Sequence, residues 1–218
     1  MMKKKGRCVS IDKINCDFSP MHKILTEDIR QVIAALQHKV ASMENETYCL
    51  LTDLEKIKED FLKIEMKAAT FYLNCYLSPF TEKYPEVSRG VQTMSKQRHG
   101  GLIVFQREDA LKNLVKPGVS IHAELTQPLL ESIFFPGNPL HDGAVIVNQN
   151  QIVSAANVLP LSGKFTGGKK LGTRHRAALG LSEQSDALVL VVSEETERVS
   201  FAINGDLHPI NSHGPGAI

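Results

Sequence analysis

The chain has 218 residues, 42% apolar and 22% charged, with a formal net charge of +1. This composition excludes a fibrous or disordered chain, and it gives no general attraction to nucleic acid or to a membrane surface; any electrostatic work is local. No apolar run approaches the roughly 20 residues needed to span a bilayer, and the residues after the basic start MMKKKGRC are too polar for a signal-peptide core. The cysteines Cys8, Cys16, Cys49 and Cys75 contain no CxxC pair. A zinc site is therefore not indicated, and a disulfide framework is not expected in a chain of this size. These readings point to a cytoplasmic protein.

From Ser19 to about Leu77 the apolar pattern is helical. Ser19-Pro20 makes a good helix start, and Leu25, Ile29, Val32, Leu36, Val40 and Met43 follow at spacings of three and four. After the polar ENET break, Leu50, Leu54, Ile57, Phe61, Ile64, Ala68 and Phe71 repeat as a narrow seam, which suits a helical hairpin or a partner helix. Ser78-Pro79 ends it. A third amphipathic stretch (Val87, Val91, Met94) precedes GLIVFQR at 101–107, a buried strand by its continuous apolar run. Residues 125–135 read as helix, 144–159 as two strands around a polar turn, and 173–183 as helix. Strands at 187–193 and 198–204 flank the acidic turn EETE. The expected fold class is α/β: a mixed parallel/antiparallel sheet flanked by helices, with an N-terminal α-helical hairpin. The domain boundary is expected near residue 80, giving a helical region at 1–80 and a main domain at 81–218.

Charge is unevenly placed in the main domain. No acid occurs between Gly143 and Ser182, a window that holds Lys164, Lys169, Lys170, Arg174, His175, Arg176 and five glycines. A Gly-rich, acid-free basic loop entering a helix start suits phosphate, because backbone N–H groups approach the anion and Arg offers a two-pronged donor. The alternative is a solvated basic loop. Three familiar patterns fail: SGKF (162–165) lacks the Ser/Thr and leading Gly of a phosphate loop, HAE (122–124) has no cysteine pair after it, and GLSEQ (180–184) lacks nucleophile-elbow spacing. Asp142 stands before one strand, and Glu194 and Glu195 follow another. Asp142 with His141 or Glu195 offers hard ligands to Mg²⁺ or Mn²⁺, against the plainer readings of a turn cap and a solvated hairpin turn.

Three segments in order and spacing, HDGA (141–144), GTRHRAALG (172–180) and VVSEET (191–196), resemble the diadenylate cyclase domain over roughly residues 87–210. The preceding GGLIVF strand (100–105) and the hairpin fit as well. The remainder is similar to the short, spore-associated cyclases with a two-helix N-terminal extension, rather than the membrane-anchored or DNA-scanning types. The resemblance implies condensation of two ATP molecules into cyclic di-AMP with release of two pyrophosphates. It implies that Asp142 binds a divalent metal and helps activate a ribose 3′-hydroxyl, with His141 and Glu195 as further metal ligands. Gly143 and Ala144 would admit the nucleotide, while Gly172, Thr173, Arg174, His175 and Arg176 grip the phosphates. Ser193 and Glu195 would face it from the opposite strand end, and Leu159 would wall the adenine; Asp142, Arg174 and His175 form the catalytic set. Implied partners are ATP and a second copy of the chain, head to head or in a higher homo-oligomer such as a hexamer, with no nucleic acid and no membrane. The helical extension would hold an oligomer that restrains activity. Competing readings are a nucleotide sensor that makes no product, an oligomeric scaffold with a vestigial site, and a different nucleotidyl transferase.

Overall fold

The structure, a computed structural model, describes residues 16–42, 50–163 and 171–210. Among them, seven strands form one sheet in the order β2-β4-β3-β1-β5-β6-β7. They are β1 (Gly101–Gln106), β2 (Val119–Glu124), β3 (Ala144–Asn148), β4 (Gln151–Asn157), β5 (Leu188–Val192), β6 (Val199–Ile203) and β7 (Asp206–Ile210). β1 and β3 are parallel, with Ile103 opposite Val145. The other neighbouring pairs are antiparallel, so the expected mixed sheet is present. The helices are α1 (Ser19–Ser42), α2 (Leu50–Leu77), α3 (Tyr84–Lys96), α4 (Gln127–Ile133) and α5 (Thr173–Ser182).

The continuous apolar runs mark the strands covered on both faces. In β1, Ile103 and Phe105 turn toward a core shared with α2, α3 and α4, while Leu102 and Val104 turn toward a second core shared with α5. β5 divides in the same way, with Leu188, Leu190 and Val192 on one face and Val189 and Val191 on the other. Strict alternation of side chains across a strand forces this split. α5 contributes Ala177, Ala178, Leu179 and Leu181 to the second core. It packs so closely on the preceding segment that a Cβ at Gly180 would lie 2.1 Å from the Pro160 carbonyl oxygen.

The edge strands β2 and β7 went unmarked in the sequence. β2 is mostly exposed and has no apolar run. β7 contains Pro209, tolerable at an edge where an N–H is dispensable. One end of the sheet is sheltered by α2, where Tyr76 meets Phe201 of β6 edge to face at 6.4 Å between ring centroids.

α1 and α2 form the expected hairpin, tied by Lys39–Asp53 at 2.6 Å and Lys67–Asp28 at 2.7 Å. Asp17, rather than Ser19, accepts the free N–H at the start of α1, from Ser19 N at 2.9 Å. That bond holds the Asp17 carboxyl below its ordinary pKa. The seam on α2 divides. Ile57 and Ile64 line a cleft with Val32 and Ala35 of α1, whereas Leu50, Leu54 and Phe61 are exposed. Ile29, Ile33, Leu36 and Val40 of α1 are exposed as well, leaving the hairpin with uncovered apolar faces. The C-terminal end of α2 is different: Ala69, Leu73, Tyr76 and Leu77 belong to the same core as the sheet.

The cysteine expectation needs correction. Cys16 and Cys75 form a disulfide, with Cα atoms 5.8 Å apart across 59 residues of sequence. Spacing in the sequence gave no sign of it, because the antiparallel packing of α1 and α2 is what brings the end of α2 back to the start of α1. Phe18 reinforces the junction, with ring centroids 5.5 Å from Phe71 and 5.9 Å from Tyr72. Cys8 and Cys49 lie outside the described residues. In the chain-entropy picture, closing a loop of this length stabilises the fold by about 4 kcal/mol. Reduction with dithiothreitol, or Cys16→Ala, should lower the thermal midpoint by several degrees in a calorimetric scan. An unchanged midpoint would show that the bond contributes nothing.

Candidate active site

The sheet brings two strand starts and two strand ends to one edge. Continuing the β1–β3 register back from Ile103 and Val145 places Asp142 beside Gly100. Gly101 lies opposite Val192, so Ser193 follows at the same edge. Ala144 lies opposite Asn157, which ends β4. The general expectation places ligands at the carboxyl ends of parallel strands. Here only the antiparallel strands β4 and β5 end at the site, and Asp142 stands at the amino end of β3.

Asp142 is exposed, and Gly143 behind it has φ +102°. A Cβ on Gly143 would sit 2.8 Å from the Ala156 carbonyl carbon and the Asn157 oxygen. Only glycine provides both this conformation and this close approach. His141 is oriented by Asn138, whose carbonyl lies 2.6 Å from the ring Nδ1. A carbonyl only accepts, so Nδ1 carries the proton and Nε2 keeps its lone pair, the arrangement common in metal-binding histidines. Asn138 is held in turn by its side-chain bond to the Ser132 carbonyl at 2.8 Å.

Across the edge, α5 begins at Gly172, which provides no side-chain cap, and its first turn holds no acid. Its leading N–H groups are open to an anion. Thr173 is exposed. Arg174 reaches Gly100 and pairs with Glu194 at 2.9 Å between Nη1 and Oε2. A Cβ on Gly100 would lie 2.4 Å from that Nη1 and 2.8 Å from the Glu194 oxygen. Burial pushes the His175 pKa below its ordinary value, partly opposed by the negative charge of Glu195. His175 is therefore a neutral donor near neutral pH. Arg176 is exposed and folds toward the Ser162 carbonyl, 3.4 Å from Nε. Ser193, Glu194 and Glu195 sit on a turn closed by Ser193 N to Arg198 O at 3.0 Å and fastened to α3 by Ser95 and to Arg98 by Glu197.

His141, Asp142, Gly143, Ala144, Gly172, Thr173, Arg174, His175, Ser193 and Glu195 thus belong to strand and helix ends at this edge. Leu159 is only 5% exposed and packs in the α5-side core, whereas neighbouring Val158 is 58% exposed. Among the described residues, no three His, Cys, Asp or Glu side chains gather as a metal-holding group. Lys164, Lys169 and Lys170 lie outside the described residues. Sequence reading missed Gly100, the choice of Glu194 as the partner of Arg174, and Asn138. The GG at 100–101 was the available signal for the first.

An uncapped, acid-free helix start and a carboxylate-bearing glycine turn come to the same end of this α/β sheet, a combination that suits a phosphate-bearing ligand. Residues 88–207 match the family model described as DisA bacterial checkpoint controller nucleotide-binding, and residues 12–80 match one described as Diadenylate cyclase CdaS, N-terminal. The chain is 50% identical to the Diadenylate cyclase CdaS of Bacillus thuringiensis, over 84% of this chain and 92% of that protein. It is 45% identical to the Cyclic di-AMP synthase CdaS of Bacillus subtilis, over 84% and 88%. A crystal structure described as the hypothetical membrane spanning protein from Bacillus cereus superposes with a TM-score of 0.75 at 48% identity, covering 89% of this chain and 96% of that one. DacA from Staphylococcus aureus gives 0.56 at 45% identity, over 59% and 86%. The chain belongs to the diadenylate cyclase family. Among the described residues, no helix is long and apolar enough to cross a membrane.

Gly100 provides a direct test of the Arg174 placement. The obstructing atoms are the far ends of flexible side chains, so Gly100→Ala should leave the thermal midpoint within a few degrees. It should also move the guanidinium and weaken ATP binding about tenfold, the usual worth of one charge-assisted hydrogen bond, as read by calorimetric titration. Unaltered binding would show that Arg174 does not need this position.

Proposed function

We propose that this chain condenses two ATP molecules into cyclic di-AMP, with one ATP on each of two subunits meeting face to face. The observation that carries the reading is the meeting of the Asp142–Gly143 turn, Arg174 with its helix start, and Ser193–Glu195 around Gly100. Each 3′-oxygen attacks the α-phosphorus of the opposing ATP. The new P–O bond forms as the bond to the bridging oxygen breaks, and pyrophosphate leaves with that electron pair. The exposed Asp142 carboxylate accepts the 3′-hydroxyl proton. Arg174, neutral His175 and the open N–H groups of Gly172–Thr173 hold the phosphates, and Arg174 balances charge as it builds on the phosphoryl oxygens. Val158 offers apolar surface beside the nucleotide. A Mg²⁺ or Mn²⁺ ion bound with nucleotide needs only one or two protein ligands, the phosphates and water supplying the rest. Asp142, together with either Glu195 or the free Nε2 of His141, would suit that role, in which the ion would neutralise phosphate charge. The product is two-fold symmetric, so an isologous pairing of identical sites is the economical assembly.

The test is incubation of the pure protein with ATP and Mn²⁺ or Mg²⁺, with products identified by mass. Cyclic di-AMP is expected, and Asp142→Asn should lose at least 100-fold in turnover with little change in thermal midpoint, the scale of a lost general base. Unchanged ATP that still raises the midpoint would instead support a sensor.

In the same reading, residues 1–80 form an oligomer-building region and residues 81–218 the catalytic domain. The uncovered apolar faces of α1 and α2 support self-association, and the Leu73–Leu77 contacts support the helices as levers on the sheet. Oligomers built through these faces, hexamers included, restrain the face-to-face pairing of catalytic domains. The charge-introducing pair Ile33→Glu and Phe61→Glu should reduce the oligomer in sedimentation and raise turnover several-fold. A smaller oligomer that is no faster would eliminate the restraint. These substitutions are preferable to deleting residues 1–80, which would strip Leu73, Tyr76 and Leu77 from the core.

A further inference from the structure

Beneath the Asp142–Gly143 turn lies a side chain that the phosphate and metal chemistry does not use. Asn157 is 1% exposed, and its amide joins three segments. Nδ2 donates to the Ala144 carbonyl at 2.8 Å. Oδ1 accepts from Gly118 N at 3.0 Å. The Ser154 hydroxyl lies 2.9 Å from Nδ2 and 3.1 Å from Oδ1, serving one of them at a time. The amide orientation follows from the partners. Flipping it would set oxygen against the Ala144 carbonyl and NH₂ against the Gly118 N–H, losing both bonds.

The backbone makes this amide necessary. Ala156 has φ 56°, and the β3–β4 register shifts between Ala144 and Ile146, so the ladder is irregular where β3 begins. The bulged residues are wedged on both sides. A Cβ on Gly118 would lie 2.1 Å from the Ala155 oxygen, and one on Gly143 would lie 2.8 Å from the Ala156 carbon. The Asp142–Gly143 turn therefore rests on residues 156–157, and the Asn157 amide ties the exit of that turn, at Ala144, to the bulge below it.

We infer that Asn157 is a positioning residue for the cyclase reaction, setting the height of the Asp142 carboxylate against the attacking hydroxyl through its bond to Ala144; the inference rests on the function proposed above. The phosphate-holding side of the site, on α5 and the Ser193–Glu195 turn, touches none of these three bonds. Loss of the amide should therefore impair turnover far more than nucleotide affinity. Misplacing a catalytic group by about 1 Å costs on the order of 100-fold in rate.

The test uses the full-length protein and Asn157→Asp, which is nearly isosteric. The introduced carboxylate still accepts from Gly118 but repels the Ala144 carbonyl; when protonated, it can donate to that carbonyl. Turnover at about pH 8 should fall tenfold or more. Affinity for 3′-deoxy-ATP, which lacks the attacking hydroxyl, should stay within threefold by calorimetric titration. Burial raises a carboxyl pKa, so the deficit relative to parent at the same pH should shrink as pH falls from about 8 to about 6. If Asn157→Asp does not fold, Asn157→Ala removes the same donor without introducing charge, and the same division between turnover and affinity is expected. Turnover within twofold of parent, or affinity falling in step with turnover, would overturn the inference. A parent that makes no cyclic di-AMP would overturn the function itself, an outcome distinct from an active parent matched by its variants.

Discussion

The site depends on one constraint of sheet topology: the parallel pair β1–β3 is flanked by antiparallel strands on both sides. β4 and β5 therefore finish where β3 and β1 begin, and a single edge receives residues from four strands. An all-parallel sheet would have sent Asp142 and Ser193 to opposite ends. The arrangement also explains the glycines. Where four chain ends and the start of α5 crowd together, Gly100 leaves room for Arg174 and Glu194, and Gly143 lets a turn lie on the neighbouring bulge. These positions are occupied by glycine because neighbouring atoms already fill the space of a Cβ.

Much of this was legible in the sequence, for identifiable reasons. β1 and β5 declare themselves because strands buried on both faces are continuously apolar, and the HDGA, GTRHRAALG and SEET segments carry the family resemblance in the residues themselves. The hidden parts depended on distant contacts. β2 and β7 are edge strands whose exposed faces remove the apolar pattern. Leu159 and Val158 are adjacent apolar residues, and only the end of β4 decides that Leu159 enters the core while Val158 faces outward. The disulfide pairs cysteines brought together by a hairpin of two long helices, which spacing rules cannot foresee. Asn157 reads as an ordinary polar residue at a strand end until the bulge at Ala156 turns it beneath the Asp142–Gly143 turn.

The N-terminal helices illustrate a different limit. The seven-residue seam on α2 divides between cleft lining at Ile57 and Ile64 and exposed surface at Leu54 and Phe61, while core packing further along α2 falls to residues outside the seam, Ala69, Leu73, Tyr76 and Leu77. A periodic apolar pattern states that a face is to be covered but does not name the partner. The change near Ala69, from exposed hairpin to domain core, packs the end of α2 directly against the sheet through Leu73 and Leu77.

The Arg174–Glu194 pair shows how the site stays receptive. With Arg174 about a quarter exposed and Glu194 over half exposed, the pair is worth no more than about 1 kcal/mol. It holds the guanidinium over Gly100 at little entropic cost to a later ligand. On the proposed function, a triphosphate, carrying several charges and oxygens that would also meet the N–H groups at the start of α5, would outcompete a single half-solvated carboxylate for the same cation. A deeply buried pair would have held Arg174 too firmly, and an unpaired arginine would have wandered. The moderate exposure of Glu194 keeps the cation oriented and free to change partners, while the position of Asp142 is set separately by the backbone of β3 and β4.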